Sequence, residues 1–427
     1  MFPVVANGLQ QTTSYKVVLP FYLYAAIAFL FGSILLFSHS EIGQQHYFNP
    51  RTLAITHIMA LGWGTMIIMG ASHQLLPVLI GGKLYSTMLG YISLFFLGLG
   101  IPFLVVGFYT LDFGILSQIG AILINIGVLS FFINVLKSVS QKKELNIHGW
   151  YMATATIWLL ITTGFGLLLV YNFSFNFLPS DSIHYLTLHA HFGIIGWFLM
   201  MVFGVGSRLI PMFLISKYQN LKILRLIFVL INCSLLLFII IKTINLTYWF
   251  YGLPLLLIGC SLILYIRFCA NAYKVRIRKN VDLQMKASLL SVGQLVLPLV
   301  IMFLIFIFFN VKRQTNWGTL YGFVIFFGWI TAIIFGMTFK TLPFIVWNKV
   351  YHKKAHLGKT PAPKDLFSNQ IFYSMMLAYL LGFFIFIFGI IFNNETLLKI
   401  GALAIIIAAM LYVINVMIVF LHKPLTK

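Results

Sequence analysis

The chain has 427 residues, of which 61% are hydrophobic and only 8% charged. Soluble domains carry about 25% charged residues, so a water-soluble globular fold is excluded and a lipid bilayer is the expected solvent. The formal charge of +21 does not indicate nucleic acid, because most Lys and Arg fall in alternate short segments between apolar runs, the pattern of topology-setting charge.

Twelve apolar runs predict helices over roughly 17–38, 52–80, 86–108, 113–136, 150–172, 184–215, 222–242, 247–269, 285–310, 317–347, 371–393 and 397–420. In lipid the backbone polar groups need internal partners, so each run reads as a helix. The connections are short, and the longest, about 347–370, is basic and contains Pro361 and Pro363. The expected fold class is an all-α polytopic membrane protein, with residues 1–427 forming a single membrane domain. Residues 1–16 lack the charged start, short apolar run and small-residue site of a cleavable signal peptide.

Charge sets the expected orientation. One set of loops holds Lys83, then Lys137, Lys142 and Lys143, then Lys217, Lys222 and Arg225. It continues with Lys274, Arg276, Arg278 and Lys279, the 347–370 segment with Lys349, Lys353, Lys354, Lys359 and Lys364, and finally Lys423 and Lys427. The opposite set mixes Arg51, Lys242, Lys312, Arg313 and Lys399 with Glu41, Asp112, Asp181 and Glu395. The first set is expected in the cytoplasm, which puts both termini there and makes the chain a multi-pass protein of the plasma (inner) membrane.

An internal frame recurs three times, spaced roughly 130 residues apart. It reads His57, Gly62-Trp63, Gly70, Pro77; then His191, Gly196-Trp197, Gly204, Pro211; then Phe323, Gly328-Trp329, Gly336, Pro343. The frames fall on the second, sixth and tenth runs, so the chain is expected to hold three four-helix repeats at roughly 1–148, 149–283 and 284–427, related by an axis along the membrane normal. The glycines suit close backbone approach to a neighbouring helix or a flat ligand, and the prolines suit a helix end or kink.

Eleven histidines are present. His148, His352, His356 and His422 sit in basic loops or the tail and read as solvated. His39, His46, His57, His184, His189 and His191 fall at or near the opposite side, with His57, His189 and His191 inside apolar runs, where ionisable groups are costly and mark function. His184 and His191 share a helix face and His189 points away from them, so a split site is expected rather than three imidazoles on one ion. Neutral imidazoles beside glycine-rich, aromatic faces suit haem iron. The alternative is a copper or zinc centre drawing on His57, His184, His189 and His191 in a transporter or metal-handling protein. Nucleophilic triads and phosphate-binding fingerprints are not indicated. Cys233, Cys260 and Cys269 form no Cys-x-x-Cys and read as small apolar residues. At the basic ends, His73, Gln74, Arg208 and Lys340 are expected to gather as an inner polar cluster able to hold an anion or guide protons, or else to snorkel to the interface.

Twelve helices in three units with a histidine on the second resemble the main subunit of the haem-copper oxidases, including the nitric oxide reductase large subunit. His57 with Leu76-Pro77 and Gly81-Gly82 looks like that family's helix-two haem motif. His189-Ala190-His191-Phe192-Gly193 with Leu209-Ile210-Pro211 looks like its helix six, which supplies a copper ligand. Run ten holds no histidine and run seven holds none, so the family's oxygen-reducing haem–copper centre is not expected. The chain looks like a divergent relative, similar to bacterial haem membrane proteins of the nitric oxide response. The resemblance implies a haem b with His57 as one axial ligand and His189 or His191 as the other, in the groove between the first two repeats. It also implies electron transfer or handling of nitric oxide or oxygen, a possible oxidoreductase activity, and a quinol or cytochrome electron donor.

Overall fold

The computed structural model describes residues 13–141, 146–308, 316–352 and 360–424. Lys142, Lys143, Lys312, Arg313, Lys353, Lys354, His356, Lys359 and Lys427, all named above, lie outside the described residues. Among the described residues, twelve helices are long and apolar enough to cross a membrane: α1 Tyr15–Ser38, α2 Pro50–Ile80, α3 Thr87–Tyr109, α4 Ile115–Ser140, α5 Ile147–Phe175, α6 Ser182–Leu214, α7 Leu221–Ile244, α8 Tyr248–Lys274, α9 Leu283–Ile307, α10 Asn316–Tyr351, α11 Asn369–Ile391 and α12 Glu395–Phe420. The chain is therefore an all-helical, multi-pass membrane protein.

The helices begin where a polar side chain satisfies the first orphan N–H groups. Ser14, Asn49, Ser86, Asn146, Asn220, Ser368 and Asn394 each accept such a bond. Apolar runs alone place α5 too late, because Asn146 starts the helix and His148 and Gly149 ride in its first turn. His148 is consequently not a solvated loop residue. Its Nδ1 lies 3.1 Å from both the Gly204 carbonyl and Ser207 Oγ. His422 likewise meets the Tyr351 hydroxyl through Nε2 at 2.8 Å, while His352 is exposed as expected.

The three framed runs are helical as expected, and the structure adds a feature that the sequence reading did not include. Each contains a π-helical stretch: Ile58–Thr65 in α2, Phe192–Leu199 in α6 and Val324–Ile330 in α10. Each stretch covers the Gly-Trp pair and starts directly after His57, His191 or Phe323. A π stretch carries one more residue per turn than its surroundings and leaves i→i−4 partners unmatched. Polar side chains meet part of that need in α10. Thr331 Oγ1 donates to the Phe326 carbonyl at 2.7 Å, and the Tyr379 hydroxyl donates to the Gly328 carbonyl at 2.9 Å.

Contacts divide the chain into two compact units: Ser72–Val281 with Leu295–Lys312 and Met1–Thr13, and Ser14–Ala71 with Asp282–Gln294 and Arg313–Lys427. In the first, α3 pairs with α4, α4 with α5, α5 with α6, and α7 with α8. In the second, α1 packs on the π stretch of α2 and on α12, α11 pairs with α12, and the first half of α9 lies along α10.

Both units close their hairpins with one device absent from the expectations above. Asn134 on α4 accepts from the Ser86 N–H (3.0 Å) and donates to the Ser86 carbonyl (2.8 Å). Asn415 on α12 does the same to Ser368 at 2.9 and 3.0 Å. Ser86 and Ser368 are the N-caps of α3 and α11, so each asparagine fixes where its hairpin begins.

Candidate functional site

The framed tryptophans are the centre of each framed helix. Trp63, Trp197 and Trp329 are 0, 1 and 1% exposed, so none is a lipid-facing belt residue. Trp63 stacks on Phe29 at 4.6 Å, meets Tyr412 edge-on at 5.1 Å and donates its indole N–H to Thr331 Oγ1 at 3.1 Å. Trp197 meets Phe131 edge-on at 6.2 Å.

The glycine before Trp197 and the one before Trp329 each admit a flat group, and that group belongs to the chain itself. A Cβ on Gly196 would lie 2.6 Å from the Trp158 ring of α5, and one on Gly328 would lie 2.7 Å from the Phe383 ring of α11. The second frame glycine is where the preceding helix crosses. A Cβ there would strike Phe21 of α1 from Gly70 at 2.7 Å, Tyr151 of α5 from Gly204, and the Gln284 carbonyl of α9 from Gly336 at 2.6 Å. At these positions the glycines allow close approach of a neighbouring helix.

His57 and His191 are half-buried and built alike. His57 Nδ1 donates to the Leu53 carbonyl at 2.8 Å, and His191 Nδ1 donates to the Thr187 carbonyl at 2.7 Å. Each acceptor lies four residues back on the same helix. A carbonyl only accepts, so Nδ1 carries the hydrogen and Nε2 holds the ring's lone pair. That is the arrangement in which metal-binding imidazoles are held and oriented. His191 also packs against Phe238 of α7, with ring centroids 5.0 Å apart.

His189 faces elsewhere. Its Nδ1 donates to the Thr162 carbonyl of α5 at 3.1 Å, and its ring fills the space where a Cβ on Gly166 would come within 2.8 Å. His184 is exposed in the first turn of α6, edge-on to Tyr185 at 5.2 Å. Phe323 occupies the same place before its π stretch as the two histidines. It is buried in a stack with Phe386 at 4.4 Å and Phe327 at 5.3 Å. Among the described residues no group of three or more His, Cys, Asp or Glu side chains comes together to hold a metal ion.

Of the residues expected at the basic ends, Lys340 is paired within its own unit, where its Nζ bonds Asp282 Oδ2 at the start of α9. Asp282 Oδ1 meanwhile accepts from the Met285 N–H at 3.0 Å. Arg208 is exposed, whereas His73 and Gln74 are buried at 1 and 7%. The Gln74 Oε1 has no hydrogen-bond partner, and His73 lies edge-on to Phe131 at 5.4 Å. Side-chain exposures of 12 and 26% for Lys340 and Asp282 place their ion pair between surface and core. Lys340→Met should lower stability by about 2 kcal/mol by stranding the carboxylate, and adding Asp282→Asn should restore most of it. Thermal unfolding of the two variants in one detergent checks this, and equal midpoints would remove the pair's structural role.

These features define a multi-pass helical membrane protein with two oriented imidazoles at matching helix positions. The chain matches no known protein family and no curated protein.

Proposed function

We propose that the chain is a membrane haem protein with the three-repeat, twelve-helix architecture of the haem-copper oxidase main subunit. It handles electrons, or nitric oxide and oxygen, in a bacterial-type plasma membrane, without that family's usual haem–copper centre. The reading is carried by one observation. His57 and His191 both stand at the entrance to a π stretch, and both are held through Nδ1 so that Nε2 is the donor atom. That donor set fits an axial haem ligand. His191 is preferred to His189, whose ring is packed against Gly166 and tied to Thr162. A haem b bound there supplies one-electron chemistry, or an open position for a diatomic gas if only one imidazole binds.

The rest of the chain's contribution is positioning. The Leu53 and Thr187 carbonyls hold the ring planes, and the buried Trp63 and Trp197 anchor the helices below them. The threefold reading draws support from the three Gly-Trp π stretches and from the second frame glycines meeting α1, α5 and α9. The basic helix ends would face the cytoplasm, and a membrane quinol or a cytochrome would donate electrons.

The test is optical. Protein purified from haem-sufficient cells should show a Soret band that shifts on reduction. His57→Ala and His191→Ala should each lose or shift that band. Absence of the band in the wild type, or a band unchanged in both variants, would overturn the proposal.

A further inference from the structure

The α7–α8 hairpin carries two arginines within its helices. Arg225 is the fifth residue of α7, and Arg267 lies in α8 ahead of its Lys274 end; both are exposed. Two contacts set the hairpin register: Ser234 Oγ donates to the Pro254 carbonyl at 2.9 Å, and Asn271 Nδ2 donates to the Tyr218 hydroxyl at 3.2 Å. Antiparallel packing then puts Arg267 level with Lys222, and Arg225 about 5 Å further into the membrane at 1.5 Å per residue. Lys222 is exposed as well.

Two observations set these residues apart from ordinary topology-setting charge. Arg276 and Arg278, just beyond α8, are engaged by the chain. Arg276 lies over the Tyr273 ring at 3.8 Å and donates to its carbonyl at 2.8 Å, and Arg278 reaches the Phe213 carbonyl at 3.5 Å. Among the described residues Arg225 and Arg267 have no hydrogen bond, ion pair or ring contact. No Asp or Glu occurs between residues 182 and 281. In addition, the fifth residues of α3 and α11 are the neutral Tyr91 and Tyr373, so the charge belongs to this hairpin alone.

The surroundings identify the occupant. Arg225, Val229 and Leu236 on α7 and Arg267, Ile263 and Leu256 on α8 are exposed, so this face is open to the surrounding medium. From Arg225 an exposed apolar track runs along Val229 and Leu236, and from Arg267 another runs along Ile263 and Leu256. A guanidinium fork matches phosphate geometry and is more weakly hydrated than an ammonium. We propose that Arg225, Arg267 and Lys222 bind the phosphate of an anionic phospholipid whose acyl chains lie along these two tracks. Net negative charge is the selected feature, because a zwitterionic headgroup brings a compensating ammonium to the same three cations.

The hairpin contains its own reporters. Cys233 and Cys260 are exposed, whereas Cys269 is buried, so fluorophores on the first two thiols sense lipids on this face. The full-length protein is placed in nanodiscs of phosphatidylcholine containing a minor fraction of phosphatidylglycerol. Quenching by nitroxide-labelled phosphatidylglycerol is then compared with quenching by nitroxide-labelled phosphatidylcholine.

The wild type should be quenched preferentially by the anionic lipid. Each of Arg225→Gln and Arg267→Gln should reduce that preference about fivefold. Lys137→Gln, an exposed cation on α4, should leave it unchanged. If the double glutamine variant does not fold, Arg225→Lys/Arg267→Lys serves instead, and loss of the fork should still lower the preference. Equal quenching by the two lipids in the wild type, an unchanged preference in the variants, or an acidic protein segment crosslinking here in place of lipid would each overturn the assignment.

Discussion

Gly336→Val is expected to prevent the protein from reaching its folded state. A Cβ at this position would lie 2.6 Å from the Gln284 carbonyl and 2.8 Å from the Ser288 N–H, and it would also strike Ser288 Oγ. Two of those atoms are helix backbone, so rotamer changes cannot relieve the clash, and α9 and α10 must separate. Overpacking of a tight interior costs about 1–3 kcal/mol where side chains give way. Here the displaced element is a helix, and Gln294 on α9 would lose its hydrogen bond to the Tyr379 hydroxyl with it. Separated helices in lipid also expose Ser288 and Gln284, which have no water to bond.

The control lies on the same helix. A Cβ on Gly322 would meet nothing within 4 Å, so Gly322→Ala should be neutral or stabilise by up to about 1 kcal/mol through helix propensity. Size-exclusion profiles and thermal midpoints in one detergent read both variants. A monodisperse Gly336→Val protein with the wild-type midpoint would show that α9 and α10 do not approach as described.

Removing one residue from the π stretch of α2 should separate the imidazole from its site while leaving the helix intact. Deleting Ala60 lets Ile58–Thr65 revert toward α-helical bonding, because the stretch then holds no surplus residue. The lower half of α2 is anchored by Trp63 on Phe29 and by Gly70 against Phe21. The upper half must therefore turn, by about 100° for one residue. His57 leaves its face and Leu53 turns with it, so their hydrogen bond survives but points elsewhere. The expected result is wild-type helicity by circular dichroism together with loss of the Soret contribution assigned to His57. Deleting Ile325 in α10 should instead disturb the Phe323–Phe386 stack and lower stability without touching the haem spectrum. An unchanged spectrum after the Ala60 deletion would mean that the π stretch does not set the imidazole's direction.

The positions of the twelve helices were readable from the amino-acid order, because crossing hydrocarbon demands about 20 apolar residues in a row and few segments meet that demand by accident. The Gly-Trp, Gly and Pro frame was readable for the same local reason, and with it the correspondence of His57, His191 and Phe323. Periodicity does not reveal the π stretches, because it assumes 3.6 residues per turn, whereas each π stretch shifts the face of everything beyond it.

Partners distant in the chain were also out of reach. Asp282 sits far from Lys340 in sequence, and His148 reads as a loop residue until α5 is laid beside Gly204 and Ser207. Asn134 and Asn415 give no sign that each will bind the backbone of a single capping serine. Local order determines which segments enter the membrane. Only the folded chain decides which polar group meets which, because each buried donor takes whatever acceptor the packing of apolar surfaces brings within about 3 Å.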